Sequence, residues 1–308
     1  MTLSRERALA ALESRLTVVD KDIIKPLSTY TWTRDLPLAN DIDRVVDSLV
    51  VTQIQGAGQG NQAMGGRSWL ADGANDIRGV DVSMSAKGVR VFTAGREASW
   101  TSLELERAEV HGIQLNTERV EVINDIFQQE AQGVAYLGDK EANITGLLNA
   151  KEVEKVTGKG LLADASDVGA IIKQIDAWQR QAEEQSGDVV IPSHMLLAPA
   201  DYVALFSIKM PDDNKVSLID YIERQSYAAK RLGGVTVNVV KELHKAGGSQ
   251  KNRAVLYTPK KDFLKYNVLP VWREKTYDKG LQYCAAYLWR IAEVQLRHPE
   301  TLMYVDNI

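Results

Sequence analysis

The chain has 308 residues, 44% of them hydrophobic and 25% charged, with 37 Lys and Arg against 41 Asp and Glu, a formal net charge of −4. This is the composition of an ordinary globular protein, which excludes collagen-like, mucin-like and acidic low-complexity chains, and its slight acidity is not the strongly basic footprint of an electrostatic nucleic-acid binder. The single cysteine, Cys284, excludes an intrachain disulfide and any cysteine-based zinc site, and no apolar run reaches the eighteen or so residues of a membrane helix.

The N-terminus carries Arg5, Glu6 and Arg7 and lacks the apolar core of a signal peptide, so a cytosolic setting is expected. Arg5 to Leu16 predict a short helix. Pro26 and Pro37 then break the pattern, and Tyr30, Trp32 and Leu36 are scattered, so residues 1–50 read as an extended arm packed on another surface rather than as core. Val45 to Gln55 is rich in β-branched residues and predicts a strand. It runs into a stretch with Gly56, Gly58, Gly60, Gly65 and Gly66, and two further strands are expected at Val80–Met84 and Val89–Thr93. The span 50–98 is thus a long two-stranded excursion, and an excursion without its own core points to function.

Residues 99–132 carry the clearest helical stripe, Ile113, Val120, Ile123 and Phe127, with Gly133 as the expected stop. A turn at Gly138-Asp139 leads to an apolar knot of Ile144, Leu147 and Leu148. A second helix is predicted over 166–186, capped by Ser166 and Asp167 and stopped by Gly187. Val189–Ile191 and Met195–Ala198 read as strand, Pro199 opens a third helix, and a fourth spans Ser217–Arg231. The remainder is strand-rich: 235–240 and 254–258 flank a basic loop at 241–253, followed by 263–269, 281–297 and 301–305. Helices and strands in mixed order, without regular alternation, define an α+β chain.

Enzymatic chemistry is hard to place. The glycines after the first strand would need a helix opening directly behind them to hold a phosphate, and no helical stripe follows. His111, His194, His244 and His298 are too far apart for a local metal motif; His111 and His244 read as surface or cap residues, His194 and His298 as half-buried structural ones. There is no nucleophile elbow, and Cys284 lies in an apolar strand context, as a small core residue does. Acidic pairs such as Asp212-Asp213 and Glu183-Glu184 read as solvated surface. No catalytic, cofactor or metal residue is assigned. What stands out is architecture suited to contact between copies.

The element order, together with EAQGVAYLGDKEANITGLLNAKEV (130–153), VIPSHMLLAPADYVAL (190–205), RLGGVTVNVVKEL (231–243) and RHPETLMYVD (297–306), resembles the major capsid proteins of tailed double-stranded-DNA phages. Their Hong Kong phage-type fold is shared with encapsulin shells and the herpesvirus capsid floor. The resemblance implies an N-terminal arm (1–50), an extended β-hairpin loop lying over a neighbouring subunit (51–98), a peripheral domain with a spine helix (99–154 and 259–308) and an axial domain (155–258). It implies a non-enzymatic subunit that forms pentamers and hexamers of an icosahedral shell around packaged DNA; the alternative is an encapsulin-like compartment around a cargo enzyme. Inter-subunit contacts are expected at Gly56, Gly58, Gly60, Arg67, Trp69 and Arg78, and axis-proximal positions at Lys241, His244, Lys245, Lys251 and Arg253. No cofactor is implied. Scaffold, portal and decoration proteins are the implied partners, with DNA held non-specifically and no membrane, in a virion assembled in the bacterial host cytoplasm. Some relatives weld subunits through a lysine in the extended loop; residues 56–86 contain Arg67 and Arg78 but no lysine, so no such crosslink is expected. With the arm starting almost at Met1, either a separate scaffold or a processed chain is expected.

Overall fold

A computed structural model describes residues 29–58, 80–101, 103–104, 115–158, 160, 167–211, 215–280 and 282–308. The helix expected at Arg5–Leu16 and the glycine-rich stretch 59–79 lie outside them. Residues Thr31–Ile308 form one unit, distinct from Met1–Tyr30.

The unit opens with a single helical turn, α1 (Trp32–Asp35), and a two-residue strand, β1 (Leu38–Ala39). The described part of the segment expected as an arm packs on its own chain. Trp32, Asp35, Leu36, Ala39 and Ile42 are buried, and β1 pairs in parallel with β8 (Leu264–Arg273). The irregular spacing that suggested an arm arises because the segment threads through the core as one turn and one bridge, too short to display a period.

Two sheets follow. The first has the order β1-β8-β10-β3-β2, with β9 (Tyr277–Lys279) on β10 (Gln282–Ala292) and β11 (Gln295–Leu296) on β8. Its longest member, β3 (Val80–Thr101), changes partner midway. From Val80 to Arg90 it pairs with β2 (Ser48–Gly58), and from Val91 to Thr101 it pairs with β10. The two separate strands expected at 80–84 and 89–93 are therefore one, because pairing with β2 continues through Gly88, opposite Val50. At ~3.4 Å per residue the β2–β3 hairpin runs about 35 Å beyond the part of β3 held by β10.

The helix expected from 99 is a strand at its start: Ser99, Trp100 and Thr101 lie opposite Cys284, Tyr283 and Gln282. The described helix, α2, spans Leu115–Leu137. Ile123, Phe127, Ala131 and Ala135 fall every four residues and are buried against the sheet, with Phe127 edge-on to Trp32 and Trp289. Gly133 does not stop α2. The stop is Gly138, at φ +67, where a Cβ would sit 2.2 Å from the Ile144 carbonyl oxygen. The chain then turns back on the helix end: the amides of Leu147 and Leu148 donate to the carbonyls of Ala135 and Tyr136 at 2.8 and 2.9 Å. The 144–148 knot is thus the C-terminal cap of α2.

The second sheet has the order β4 (Glu154–Thr157), β12 (Leu302–Asp306), β7 (Arg253–Tyr257), β5 (His194–Leu197) and β6 (Thr236–Val239). Residues 189–191, expected as strand, are outside it. Against it pack α3 (Val168–Gln185), α4 (Pro199–Ser207) and α5 (Leu218–Arg224), through Ile171, Ile175, Trp178, Leu205, Leu218, Ile222 and Met303 among others. Asp167 caps α3 by accepting from the Ala170 amide, and Gly187 ends it at φ +72. The expected fourth helix is divided, into α5 and α6 (Tyr227–Leu232). Buried Ser226 starts a second N-cap between them, accepting from the Ala229 amide while Gln179 donates to its Oγ. The C-terminal stretch also divides: β8 to β11 belong to the first sheet, whereas β12 enters the second, between β4 and β7.

Asp35 joins the two sheets. It is fully buried, and its carboxylate accepts from Tyr136 of α2 at 2.6 Å, from Asn238 of β6 at 3.0 Å and from two nitrogens of Arg34 at 2.6 and 2.9 Å. Its carbonyl accepts from the Tyr257 hydroxyl of β7. Burial and the neighbouring carboxylate push the Tyr136 and Tyr257 phenols far above their ordinary range, so both stay protonated donors. Truncating Asp35 to Ala strands these donors in the interior; urea unfolding of D35A is expected to show a loss of about 3 kcal/mol.

Candidate assembly surfaces

The hairpin root is set by Arg290 of β10, itself nearly buried. Its guanidinium donates to the carbonyls of Asp43 and Val46, to the Asp47 carboxylate and to Thr93 Oγ1. One side chain thus fixes the chain entering β2 to both β3 and β10, and the excursion leaves the body in a defined direction. Val45 and Val50 on this segment are 81% and 66% exposed. Of the residues singled out in the excursion, Gly56 and Gly58 lie at the far end of β2, opposite Val82 and Val80. Gly60, Arg67, Trp69 and Arg78 lie outside the described residues.

The basic loop is a built structure. Lys241 begins a 3₁₀ turn, Lys241–Leu243, whose Leu243 is buried. Asn252 receives the Lys245 amide on its side chain and donates to Asp201 of α4, at 3.1 and 3.0 Å. Burial pushes the Asp201 carboxyl up. Lys241, His244, Lys245 and Lys251 are exposed on this loop. Arg253 is not, and its reading as a loop cation is corrected. It is the first residue of β7, 5% exposed, and pairs in a bidentate fashion with Asp306 of β12 at 2.5 and 2.9 Å. It also donates to the Leu148 carbonyl and lies over the Tyr304 ring, 4.5 Å from its centre. Burial pushes the Asp306 carboxyl up, but hydrogen bonds from Arg253 and from the Gly248 amide outweigh it and hold the group below its ordinary value. The buried cation follows the loop cations in sequence with no periodic cue, so only the tertiary pairing separates it from them.

Sequence reading missed the outer face of α4. Val203 and Phe206 are 62% and 53% exposed, one turn apart, while Leu205 between them is buried. The apolar count of this helix resembled a core helix; its two-sided character needed the fold. His298, expected half-buried, is exposed and beside Glu300, whereas His194 is half-buried, its imidazole pushed down by burial.

The far end of the first sheet holds a polar cluster. Glu97 of β3 accepts from the Tyr277 hydroxyl and from Lys279 at 2.9 Å, both on β9, and these partners hold its carboxyl down at about 2. Cys284 is buried beside it, its thiol pushed up by burial, which makes it a poor nucleophile. Among the described residues no three His, Cys, Asp or Glu converge as a metal site, and no helix is long and apolar enough to cross a membrane.

A family model described as major capsid protein matches residues 65–308. No curated protein matches. Among solved structures, the capsid of the myovirus phage XM1 superposes with a TM-score of 0.75 at 14% identity, covering 96% of this chain and 98% of that one. The protein of Mycobacterium phage Adephagia gives 0.61 at 13%, covering 96% of each chain. A virus-like particle from Pyrococcus furiosus gives 0.51 at 12%, covering 89% and 91%.

Two outcomes are expected from these surfaces. R253M leaves Asp306 buried and unpaired and lowers stability by about 3 kcal/mol, and the R253M/D306N double variant recovers part of that loss in equilibrium unfolding. Because the Glu97 carboxyl is depressed in the folded state, its stabilising contribution is complete above the ordinary value of 4.5 and disappears as pH falls toward about 2. E97Q therefore flattens the acid side of the stability profile in that window and changes nothing in shape at neutral pH.

Proposed function

The chain belongs to the major capsid protein family and is a structural, non-enzymatic subunit of a phage shell, and from that premise we propose how its copies work together. Rings of five and six close into an icosahedral shell around packaged double-stranded DNA. The seven-stranded sheet with α2 is the peripheral part of the subunit and the five-stranded sheet with α3 to α6 the axial part. The hairpin lies over a neighbour, and the loop bearing Lys241, His244, Lys245 and Lys251 faces the ring axes. Gly60, Arg67, Trp69 and Arg78 extend the hairpin contact.

The observation that carries this reading is the β2–β3 hairpin: about 35 Å of paired strand held at its root by Arg290 and, among the described residues, paired with no other element of its own chain. A two-stranded ribbon is marginal alone and gains stability by packing on another surface, which couples subunit order to assembly. Contacts of this head-to-tail kind join different patches and close into rings. The mildly acidic balance suits a container whose lining holds DNA without sequence readout. A scaffold shapes the shell during assembly in the host cytoplasm, a portal occupies one vertex, and decoration proteins bind outside. The encapsulin-like alternative is less favoured, since the family model that matches residues 65–308 is that of a major capsid protein.

Light scattering and negative-stain imaging of the expressed chain test this directly. Closed particles, or rings of five or six, are expected, with nucleic acid rather than a cargo enzyme in particles formed beside a packaging motor. A chain that stays monomeric or dimeric at high concentration, alone and with its scaffold, overturns the arrangement.

A further inference from the structure

The basic loop between Lys241 and Arg253 is anchored on two carboxylates of opposite kind. Asp306 faces the Arg253 guanidinium and also accepts from the Gly248 amide at 3.1 Å, so its charge is matched by a cation. Asp201, in the first turn of α4, is buried without one. Its Oδ1 accepts from Asn252 at 3.0 Å, and its Oδ2 is sealed from solvent and accepts nothing. Among the described residues no cation forms an ion pair with it. α4 carries no other charged residue, Arg253 is committed to Asp306, and Lys241, Lys245 and Lys251 point into solvent. From the loop, only the charge of His244 reaches it. A carboxylate withdrawn from water with a single donor is short of partners, whereas a neutral carboxyl group is far less costly there.

We propose that Asp201 and Asn252 form a proton-operated latch on the basic loop: a proton on Asp201 holds the loop closed, and its loss to solvent loosens the clip and admits water between the loop and α4. The clip has something to hold. Lys245 and Gln250 lie at φ +57 and +58, a left-handed region that such side chains seldom adopt. Asn252 receives the Lys245 amide on its Oδ1 at 3.1 Å while its Nδ2 reaches Asp201. One side chain therefore ties a strained loop residue to the buried carboxyl. Because the closed site raises the Asp201 carboxyl, closure is most favoured below the ordinary value of 3.8 and loses that advantage as pH rises through the raised value. The anchor at Asp306 has the opposite response, since its carboxyl is held down. Acid therefore tightens one end of the loop before it weakens the other. The inference concerns the subunit itself and stands or falls apart from the shell reading.

Hydrogen exchange of the full chain between pH 7 and pH 4, corrected for the intrinsic pH dependence of exchange, tests the latch. The amides of Lys245, Gly247, Gly248 and Lys251 all donate within the closed loop or to its anchors and report its state. Their protection is expected to rise about tenfold toward pH 4, the factor that one unit of displacement gives. D201N, neutral at every pH, is expected to keep the loop protected with no slope across this window. N252A is expected to leave it poorly protected throughout. H244Q removes a positive charge that favours the ionised carboxylate, so the rise is expected to begin at higher pH. A flat wild-type profile, or a slope that persists in D201N, overturns the inference. Should D201N fail to fold, an H244Q profile that coincides with wild type overturns it instead. A parallel change in the amides of β7 marks opening of the whole sheet rather than of the loop and also overturns it.

Discussion

A carboxylate withdrawn from water must be satisfied entirely by its neighbours, and for Asp35 those neighbours come from three separate regions of the chain. Arg34 stands next to it, Tyr136 is near the end of α2, and Asn238 belongs to β6 of the other sheet. The surrounding groups extend the tie: Trp32 donates to Gln128, the Thr31 amide to Gln132, and Gln132 in turn to Glu242 beside the basic loop. Neither sheet encloses this network, since it lies where they meet the end of the helix. A satisfied polar network of this kind fixes geometry more strongly than apolar contact alone, because every alternative arrangement leaves some member unpaired. The angle between the two sheets is therefore carried by a four-residue turn.

The second constraint is the division of β3 between two partners. One half pairs with β10 in the seven-stranded sheet, and the other half is one leg of a ribbon with β2. A single continuous strand transmits the sheet's orientation outward without a hinge, and Arg290 pins the adjoining chain at the changeover. The body and its excursion thus behave as one lever. Beyond the root, the glycines at 56 and 58 give the backbone of β2 its greatest conformational freedom.

Much of this was legible in the sequence wherever a local period or a local stop existed. α3 carries its cap at Asp167, its stripe from Ile171 to Trp178 and its stop at Gly187, and all three are physical effects confined to a few residues. The β-branched run before Gly56 likewise marked β2. The failures share a cause. Ser99 to Thr101 were assigned to a helix because the stripe downstream is strong, but pairing with β10 overrode it. Gly133 looked like a terminus, yet nothing in its surroundings requires a glycine, whereas Gly138 is forced by the chain folding back on it. Arg253 looked like its neighbours in the loop because its partner, Asp306, is distant in sequence. The candidate surfaces were legible as segments and not as side chains, since which residues of a segment face outward is decided by what packs beneath it.

The position of β12 has a consequence for the order of events during synthesis. It lies between β4 and β7, in parallel with one and antiparallel with the other, and supplies the buried partner of Arg253. Until residue 306 has left the ribosome, β4 has no neighbour, Arg253 has no counter-ion and the second sheet is missing an interior strand. A chain interrupted between residues 101 and 302 carries both hairpin strands but an unfinished second sheet. The fold thereby ties the second sheet to synthesis of residues 302–306, and fragments that stop short of them lack one of its interior strands and the counter-ion of Arg253.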